Sequence, residues 1–531
     1  MKRWISLILL SLIAAAAAAI GKDKISLEDY GWSSAKSGIQ RAKVLYNAQS
    51  AAVKARTSVD YSGITSIYLE ISSDFISIPL TGRDDFKGVV FYVVNNSKNV
   101  PLFACVRNPK RISIPKRIID GTNFSSFPEL REGERLIVIE DKNPWVDNRI
   151  GYNYGHTRKD VLLTSSGRAV NTVIAPYNNS QSAPECSFYE VSADSFYVRN
   201  FTLNRAASST FKTICLDIQG LAHVEVSGIT INTPESDLTS DYAIRLRDCA
   251  DVTLSDVTIN GTYSKENKYG YGINFNNLWN TRFIRVTGTA PWGVMGNNNM
   301  SETYLQGCSI NRFDIHCYGR DVNMIDCVFD GGMHGWYSGG SSIFGVIQYD
   351  RCIFRNCTPI AYGDSYKVAV GADVIFNDCE FYVSKKHNAV FSTKLLGVAE
   401  NPRPGLSQKS LPNIEINRMI VHVPEGVECV YLYSVGSESK YNSKVGFLRR
   451  IKIHGLMFDC ASPSQDLAFK LFSTPVNTDK NQLIEVTGLD APGITLVPNV
   501  TINKKNKVRI RNSSFKPVAQ TAESVILRFK D

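Results

Sequence analysis

From Tyr197 to Phe381 the chain is a succession of short apolar–polar alternations that return at a near-constant interval. The segments FYVRNFTLN (196–204), VEVSGITIN (224–232), VTLSDVTIN (252–260) and TRFIRVTG (281–288) align with TYLQGCSIN (303–311), VNMIDCVFD (322–330), IQYDRCIFR (347–355) and VIFNDCEFY (374–382). Each alternates with period two and breaks at a small or polar bend residue. Their third residues are Val198, Val226, Leu254, Phe283, Leu305, Met324, Tyr349 and Phe376, spaced 19 to 29 residues apart. The pattern returns at IEINRMIV (414–421), IKIHGLMF (451–458), IEVTGL (484–489) and VRIRNSSF (508–515). Period-two alternation means strands, and self-similarity at this interval means a solenoid. Together they predict an all-β chain: a right-handed parallel β-helix of about 11–12 coils, with apolar residues stacked inward.

Before the repeat, residues 34–56 place Ile39, Ala42, Leu45, Tyr46, Ala52 and Val53 at helical spacing without proline. An amphipathic helix there is expected to cap the open edge of the first coil. Residues 62–150 alternate without matching the repeat, so they read as irregular early coils or a small β module. The segment 141–160, aromatic and polar without periodicity, reads as a long loop, and 393–411 and 432–446 read as similar insertions. The expected division is a leader at 1–20, a cap helix and irregular β segment at 21–150, and the β-helix from 151 to 531.

The leader changes the compartment. Lys2 and Arg3, the apolar run Trp4–Ile13 and the alanines at 14–19 have the layout of a secretory signal peptide. The expected destination is a bacterial periplasm or the exterior, with no membrane span after cleavage. Composition adds little: 43% apolar and 21% charged residues are ordinary for a folded domain. A net charge of +9 admits an acidic polymer as partner, and no nucleic-acid ligand is expected. Of twelve cysteines, Cys308, Cys327, Cys352 and Cys379 share the sixth place of four successive repeats. They should form an inward ladder, as disulfides or as free thiols acting as small apolar groups. Zinc is not expected, because the usual Cys/His spacings are missing.

Candidate chemistry lies on the strand preceding each aligned one: CLDIQ (215–219), IRLRD (244–248), INFNN (273–277) and RFDIHCYGR (312–320). Alternation turns Asp217, Arg245 and Asn274 into one outward column and Gln219, Arg247 and Asn276 into the next. In the fourth strand Arg312, Asp314, His316 and Tyr318 share the outward face, joining a carboxylate, a cation, an imidazole and a phenol. These four are the expected catalytic set. Arg245, Asn274, Asn276, Trp292, Arg320, His334 and Trp336 are the expected substrate-binding set, since rings stack on sugar faces while Arg, Asn and His hold hydroxyls and carboxylates.

The repeat, the capping helix and the leader resemble the pectate-lyase-like superfamily of right-handed β-helices over about residues 160–520. The stretch WGVMGNNNMSETYLQGCSINRFDIHCYGRDVNMIDC (292–327) is similar to a motif of bacterial and phage β-helix proteins that carry an RFDxH strand. That resemblance implies an anionic polysaccharide as partner, with Ca2+ a possible cofactor. The chain departs from the polygalacturonase-like NTD, DD, GHG and RIK set and from the pectate-lyase aspartate cluster, so the activity carried over is fold-level analogy. Three readings follow. A lyase would use His316 or Tyr318 as base or acid and Arg312, Arg320 or Arg245 to neutralise a uronate carboxylate. A hydrolase would pair Asp314 with a second carboxylate, Asp217 being one candidate and Asp326 and Asp330 competitors. A non-catalytic protein would grip a glycan on the same face. The mixture of one carboxylate with several cations favours elimination.

Overall fold

The computed structural model describes residues 24–97, 100–146, 156–174, 176–177, 183–206, 208–209, 214–233, 242–261, 271–289, 293–315, 319–331, 343–362, 373–393, 410–411, 413–435, 446–447, 450–462, 466–473, 476–477, 483–497, 500–501, 507–511, 513–516 and 527–529. Within them, 28 strands join into one parallel solenoid sheet. Residues at the third place of each repeat pair directly: Val198 with Val226, Leu254, Phe283, Leu305, Met324, Tyr349, Phe376, Ile416, Ile453, Val486 and Ile510 in turn. Those from Val198 to Val486 are fully or almost fully buried, and they lie in one continuous apolar core. Two more inward columns share that core. One is Leu216, Ile244, Ile273, Met295 and Phe313, and the other runs from Leu203 through Ile231 and Ile259.

Three corners close each coil, and at each the backbone turns through the left-handed region. The first column is Gly220, Asp248, Asn277 and Asn299; the second is His223, Asp251, Asn280, Glu302, Asp321 and Gly345. The third is the bend of the repeat, running Asn200, Gly228, Asp256, Arg285, Gly307, Asp326, Arg351, Asp378, Arg418, Gly455 and Gly488. All have φ between +50° and +76°. Gly, Asn and Asp tolerate that conformation, which explains most of the identities. The three arginines do not, and each is braced by the coil below. Arg285 bonds both oxygens of Asp256 at 2.7 Å, Arg351 both oxygens of Asp326, and Arg418 both oxygens of Asp378.

The cysteine ladder is present as free thiols, as is every described cysteine. Cys308, Cys352 and Cys379 each donate to a carbonyl of the preceding coil, those of Phe283, Met324 and Tyr349. The Cys327 thiol and burial together push Cys308 and Cys352 well above the ordinary thiol range, and burial pushes Cys379 to about 12. Cys308, Cys352 and Cys379 therefore stay protonated and act as small apolar groups, while hydrogen bonds from Cys308 and Cys352 draw the Cys327 thiol below the ordinary thiol range.

Helix α1 covers Gly38–Ala55 and begins at a reciprocal cap between Ser37 and Gln40. It buries Ala42, Leu45, Ala48 and Ala52 in the core beside Ile67 and Leu69 of the first coil. Its Gln49 donates to Tyr61 Oη at 2.9 Å and to Asp84 Oδ1 at 3.1 Å, and burial raises the Asp84 carboxyl to about 6.

The N-terminal region differs from the expected division. Strands Ser66–Ile71, Arg83–Asn95 and Phe103–Val106 already belong to the solenoid, pairing parallel with one another or with Phe196–Arg205 and Leu216–Gln219. Between them and Phe196 sits an antiparallel module of five strands, ordered Arg168–Ala169, His156–Ser165, Glu134–Val146, Glu185–Glu190 and Lys110–Ile112. The segment expected as a loop at 141–160 contributes to two of these strands at its ends. Its Arg158 and Asp160 belong to a buried cluster that hydropathy does not reveal. Arg158 bonds Asp160 at 2.8 Å and lies 3.9 Å over the Tyr177 ring, while Tyr177 Oη donates to Asp160 at 2.7 Å.

One position tests the packing directly. Gly288 sits at φ +133°, and a Cβ there would lie 1.9 Å from the Ile259 carbonyl oxygen. Gly288→Ala should lower unfolding stability by about 1–3 kcal/mol or more, read by denaturant titration. An unchanged midpoint would contradict this packing.

Candidate functional site

The strands carrying the candidate chemistry stack in register, as alternation requires. Asp217 pairs with Arg245, then Asn274, Gly296 and Asp314, while Gln219 pairs with Arg247, Asn276 and Asn298. The intervening Ile218, Leu246 and Phe275 point into the core, so these two columns form a polar strip on the outside of the solenoid.

At one end, Asp217 is only 3% exposed and faces two guanidinium groups. Arg245 grips it through Nε at 3.0 Å and Nη2 at 2.5 Å, and Arg247 Nη2 reaches both oxygens at 3.1 Å. Two cations against one carboxylate leave a positive surplus. In the middle, Asn274 Nδ2, Asn276 Oδ1, Asn298 Oδ1 and Arg247 Nε are buried, yet have no hydrogen-bond partner among the described residues. Buried polar atoms are nearly always paired, so this stretch is built to receive a water or a ligand.

At the other end Asp314 alternates with the core residues Phe313 and Ile315, so it stands on the outward side, but it is 0% exposed. Tyr271 Oη donates to Asp314 Oδ2 at 2.6 Å, and Arg312 forms an ion pair with the same oxygen. Gly296 makes this possible: a Cβ there would sit 2.1 Å from the Tyr271 ring. Asp314 was expected on the outward face; that position fixes the face but not what covers it. Asp217 and Asp314 are four strand steps apart, roughly 19 Å at the interstrand spacing of a sheet. Glycosidase carboxylates stand about 5–9.5 Å apart, so these two do not flank one bond.

The antiparallel module borders the strip. Its Leu136, Val138, Val161, Leu163 and Tyr189 pack on Ala222, Ala250 and Trp279 of the solenoid. Tyr189 lies over Gly220, where a Cβ would come within 2.3 Å of its ring, and its hydroxyl accepts from Gln219 at 3.2 Å. Burial raises the Tyr189 phenol to about 12 and also raises the Asp248 carboxyl beside it. Lys159 N donates to Asn299 Oδ1 at 3.4 Å. His223 joins the two bodies, with Nε2 2.9 Å from Glu134 and Nδ1 2.8 Å from Asp251.

Of the expected site residues, Asp314, Arg312, Arg245, Asn274 and Asn276 are brought onto or against the strip. Arg320 is not: it pairs with Ser301, one residue before the second corner column, and donates to Thr172 Oγ1 and the Val173 carbonyl. Asp326 is held at the bend by Arg351, and Asp330 accepts from Asn356 at 2.9 Å. His316, Tyr318, Trp292, His334 and Trp336 lie outside the described residues. Tyr271, Arg247, Asn298 and the bordering Tyr189 were not singled out as site residues. The glycine at 296, within a column of large polar residues, was the available signal for Tyr271. Among the described residues no three His, Cys, Asp or Glu side chains converge as a metal site.

No family model matches the chain, and no match was found among curated proteins. Solved structures it is similar to include phage tailspikes. The tailspike protein gp49 from Pseudomonas phage LKA1 is 14% identical, aligned over 91% of this chain and 84% of that one, with a TM-score of 0.57. The gp54 tailspike of Acinetobacter baumannii bacteriophage AP22, solved with A. baumannii capsular saccharide, is 10% identical over 95% and 77%, with a TM-score of 0.44. The gp61 tailspike of Pseudomonas phage phi297 is 12% identical over 96% and 82%, at 0.43. At these identities the likeness is one of fold: a parallel β-helix of the kind used by tailspikes.

The clamp at His223 has a defined pH signature. Burial opposes its charge, but hydrogen bonds to Asp251 and Glu134 outweigh that, so its value is raised. Both ring nitrogens face carboxylates, and only the imidazolium can donate to both. A raised folded value means the contribution is complete below the unfolded value near 6.5 and is lost as pH rises through the folded one. The Tm difference between wild type and His223→Gln should therefore be largest at pH 6 or below and shrink by pH 9. A difference independent of pH would show that the ring does not titrate.

Proposed function

We propose that this chain is an exported protein that binds a polysaccharide along the Asp217–Asp314 strip and cleaves it by β-elimination at a uronate unit. The observation that carries the proposal is the strip itself, a run of amides with buried atoms that have no partner among the described residues, beside a surplus guanidinium, on a fold shared with a tailspike. In this reading Arg245 and Arg247 neutralise the uronate carboxylate, and Asn274, Asn276 and Asn298 hold sugar hydroxyls. His316 and Tyr318, which follow Asp314 in sequence, serve as base and acid. The Arg312–Asp314–Tyr271 group fixes the strand that presents them. Trp292, His334 and Trp336 are assigned to sugar stacking and hydroxyl contact. The right-handed sense of the coils, the capping role of α1, a pectate-lyase-like relationship, the leader at 1–20 and a periplasmic or external location belong to the same proposal.

Elimination is favoured over hydrolysis because Asp217 and Asp314 stand too far apart to act on one bond, whereas elimination needs a cation and a base. The test is digestion of acidic and neutral polysaccharides by residues 20–531, with and without calcium, following ultraviolet absorbance and reducing ends together. Rising absorbance with reducing ends supports a lyase. Reducing ends alone indicate a hydrolase, and retained binding without either indicates a glycan-holding protein. On a substrate that is cleaved, His316→Ala should reduce kcat by about 100-fold or more. Arg245→Ala should raise KM about 10-fold or more, since Arg247 still pairs with Asp217. Full activity in His316→Ala would remove the proposed base.

A further inference from the structure

A different side of the solenoid carries a second pattern. The column through Tyr68 continues in register to Tyr92, Asn204, Asn232, Asn260 and Thr289. Two residues earlier in each strand, the neighbouring outward column reads Ser66, Val90, Thr202, Thr230, Thr258 and Thr287. Over six strands neither column contains a charged residue. We propose that this face is a second saccharide-binding track, selective for a neutral, hydroxyl-rich glycan chain. It is separate from the charged strip and stands whether or not that strip is catalytic.

The amides are arranged with a direction. Asn260 Nδ2 donates to Asn232 Oδ1 at 2.9 Å, and Asn232 Nδ2 donates to Asn204 Oδ1 at 2.8 Å. That leaves Asn204 Nδ2 as a donor at one end and Asn260 Oδ1 as an acceptor at the other, each outside the ladder bonds. A neutral hydroxyl, which both donates and accepts, suits such a ladder, and Arg205, the cation that lines the same cleft, is only 5% exposed. The amides open into a cleft of ≈ 410 Å³ that is also lined by Arg205, Thr233, Gly261 and Thr289.

An amide ladder alone would be explained by coil-to-coil cohesion. The tyrosines are not. Tyr68 and Tyr92 are 42% and 45% exposed; the Arg41 guanidinium lies 5.7 Å from the Tyr68 ring, whereas Tyr92 has no ring partner among the described residues. Farther along the solenoid, Arg355, Tyr382 and His422 form a charged ladder on the corresponding face. There Tyr382 is covered on both sides, by Arg355 at 4.9 Å and by His422 stacked at 4.1 Å. Where cohesion is the role, the ring is enclosed. Tyr92 instead is exposed and in line with the amide ladder, in a column that runs ~24 Å. Apolar ring faces and sugar C–H faces pack together, and the amides beside them take the hydroxyls.

The experiment is native affinity electrophoresis of the full chain through gels containing dextran, glucomannan or galactomannan. Retardation by at least one is expected. The double variant Tyr68→Ala/Tyr92→Ala should weaken that retardation at least tenfold, Tyr92→Phe should keep it, and Arg245→Ala should leave it unchanged. Circular dichroism checks the fold, and light scattering after gel filtration checks the oligomeric state. Retardation by none of the three polymers overturns the proposal. So does loss in Arg245→Ala with retention in the tyrosine variant, which would assign neutral-glycan binding to the charged strip. A changed oligomeric state in the tyrosine variant also overturns it, because the rings would then be an interface between copies.

Discussion

Parallel strands in a sheet lie about 4.8 Å apart, and a chain that coils back onto itself must bring each residue to that distance from its counterpart one coil away. Everything else in this protein follows from that repetition. An inward position is inward in every coil, so Val198 to Val486 form one apolar column. A corner is a corner in every coil, so each must be turned by a residue tolerant of positive φ. Arginine in that conformation costs about 1 kcal/mol or more. Arg285, Arg351 and Arg418 all follow an aspartate corner in the coil below and grip it with two hydrogen bonds. Strain and cross-coil pairing are thus coupled in the same side chain.

The same repetition explains what could be read in the sequence. Inward residues named from the alternation pair with one another one by one, and the bend residue of the repeat is the third corner. The outward columns at Asp217, Arg245 and Asn274 were legible for the same reason. Outside the repeat the helix at 34–56 was legible, but how residues 62–190 divide between solenoid and module was not. The module at 110–190 alternates with period two like the solenoid, and hydropathy does not distinguish antiparallel from parallel pairing. The early coils from Ser66 were obscured because a bulge opposite Arg199 and Phe201 shifts the strand Arg83–Asn95 out of the motif. The cover over Asp314 was illegible because Tyr271 lies two coils away and reaches it across Gly296.

Register also turns any outward residue type into a surface property. One side gathers Asp217, Arg245 and Arg247, bordered by a module that His223 links to the solenoid. The other gathers tyrosines, asparagines and threonines without charge over six strands. Neither composition is needed for folding, because the inward columns carry the core on both sides equally. A globular domain would juxtapose such groups only through long-range folding, whereas a solenoid does so by repeating one choice at a fixed interval. That interval suits a linear polymer, which presents its own groups at regular spacing. The two proposed tracks therefore differ in electrostatic character, and on that proposal the charge distribution of a polymer decides which side it occupies.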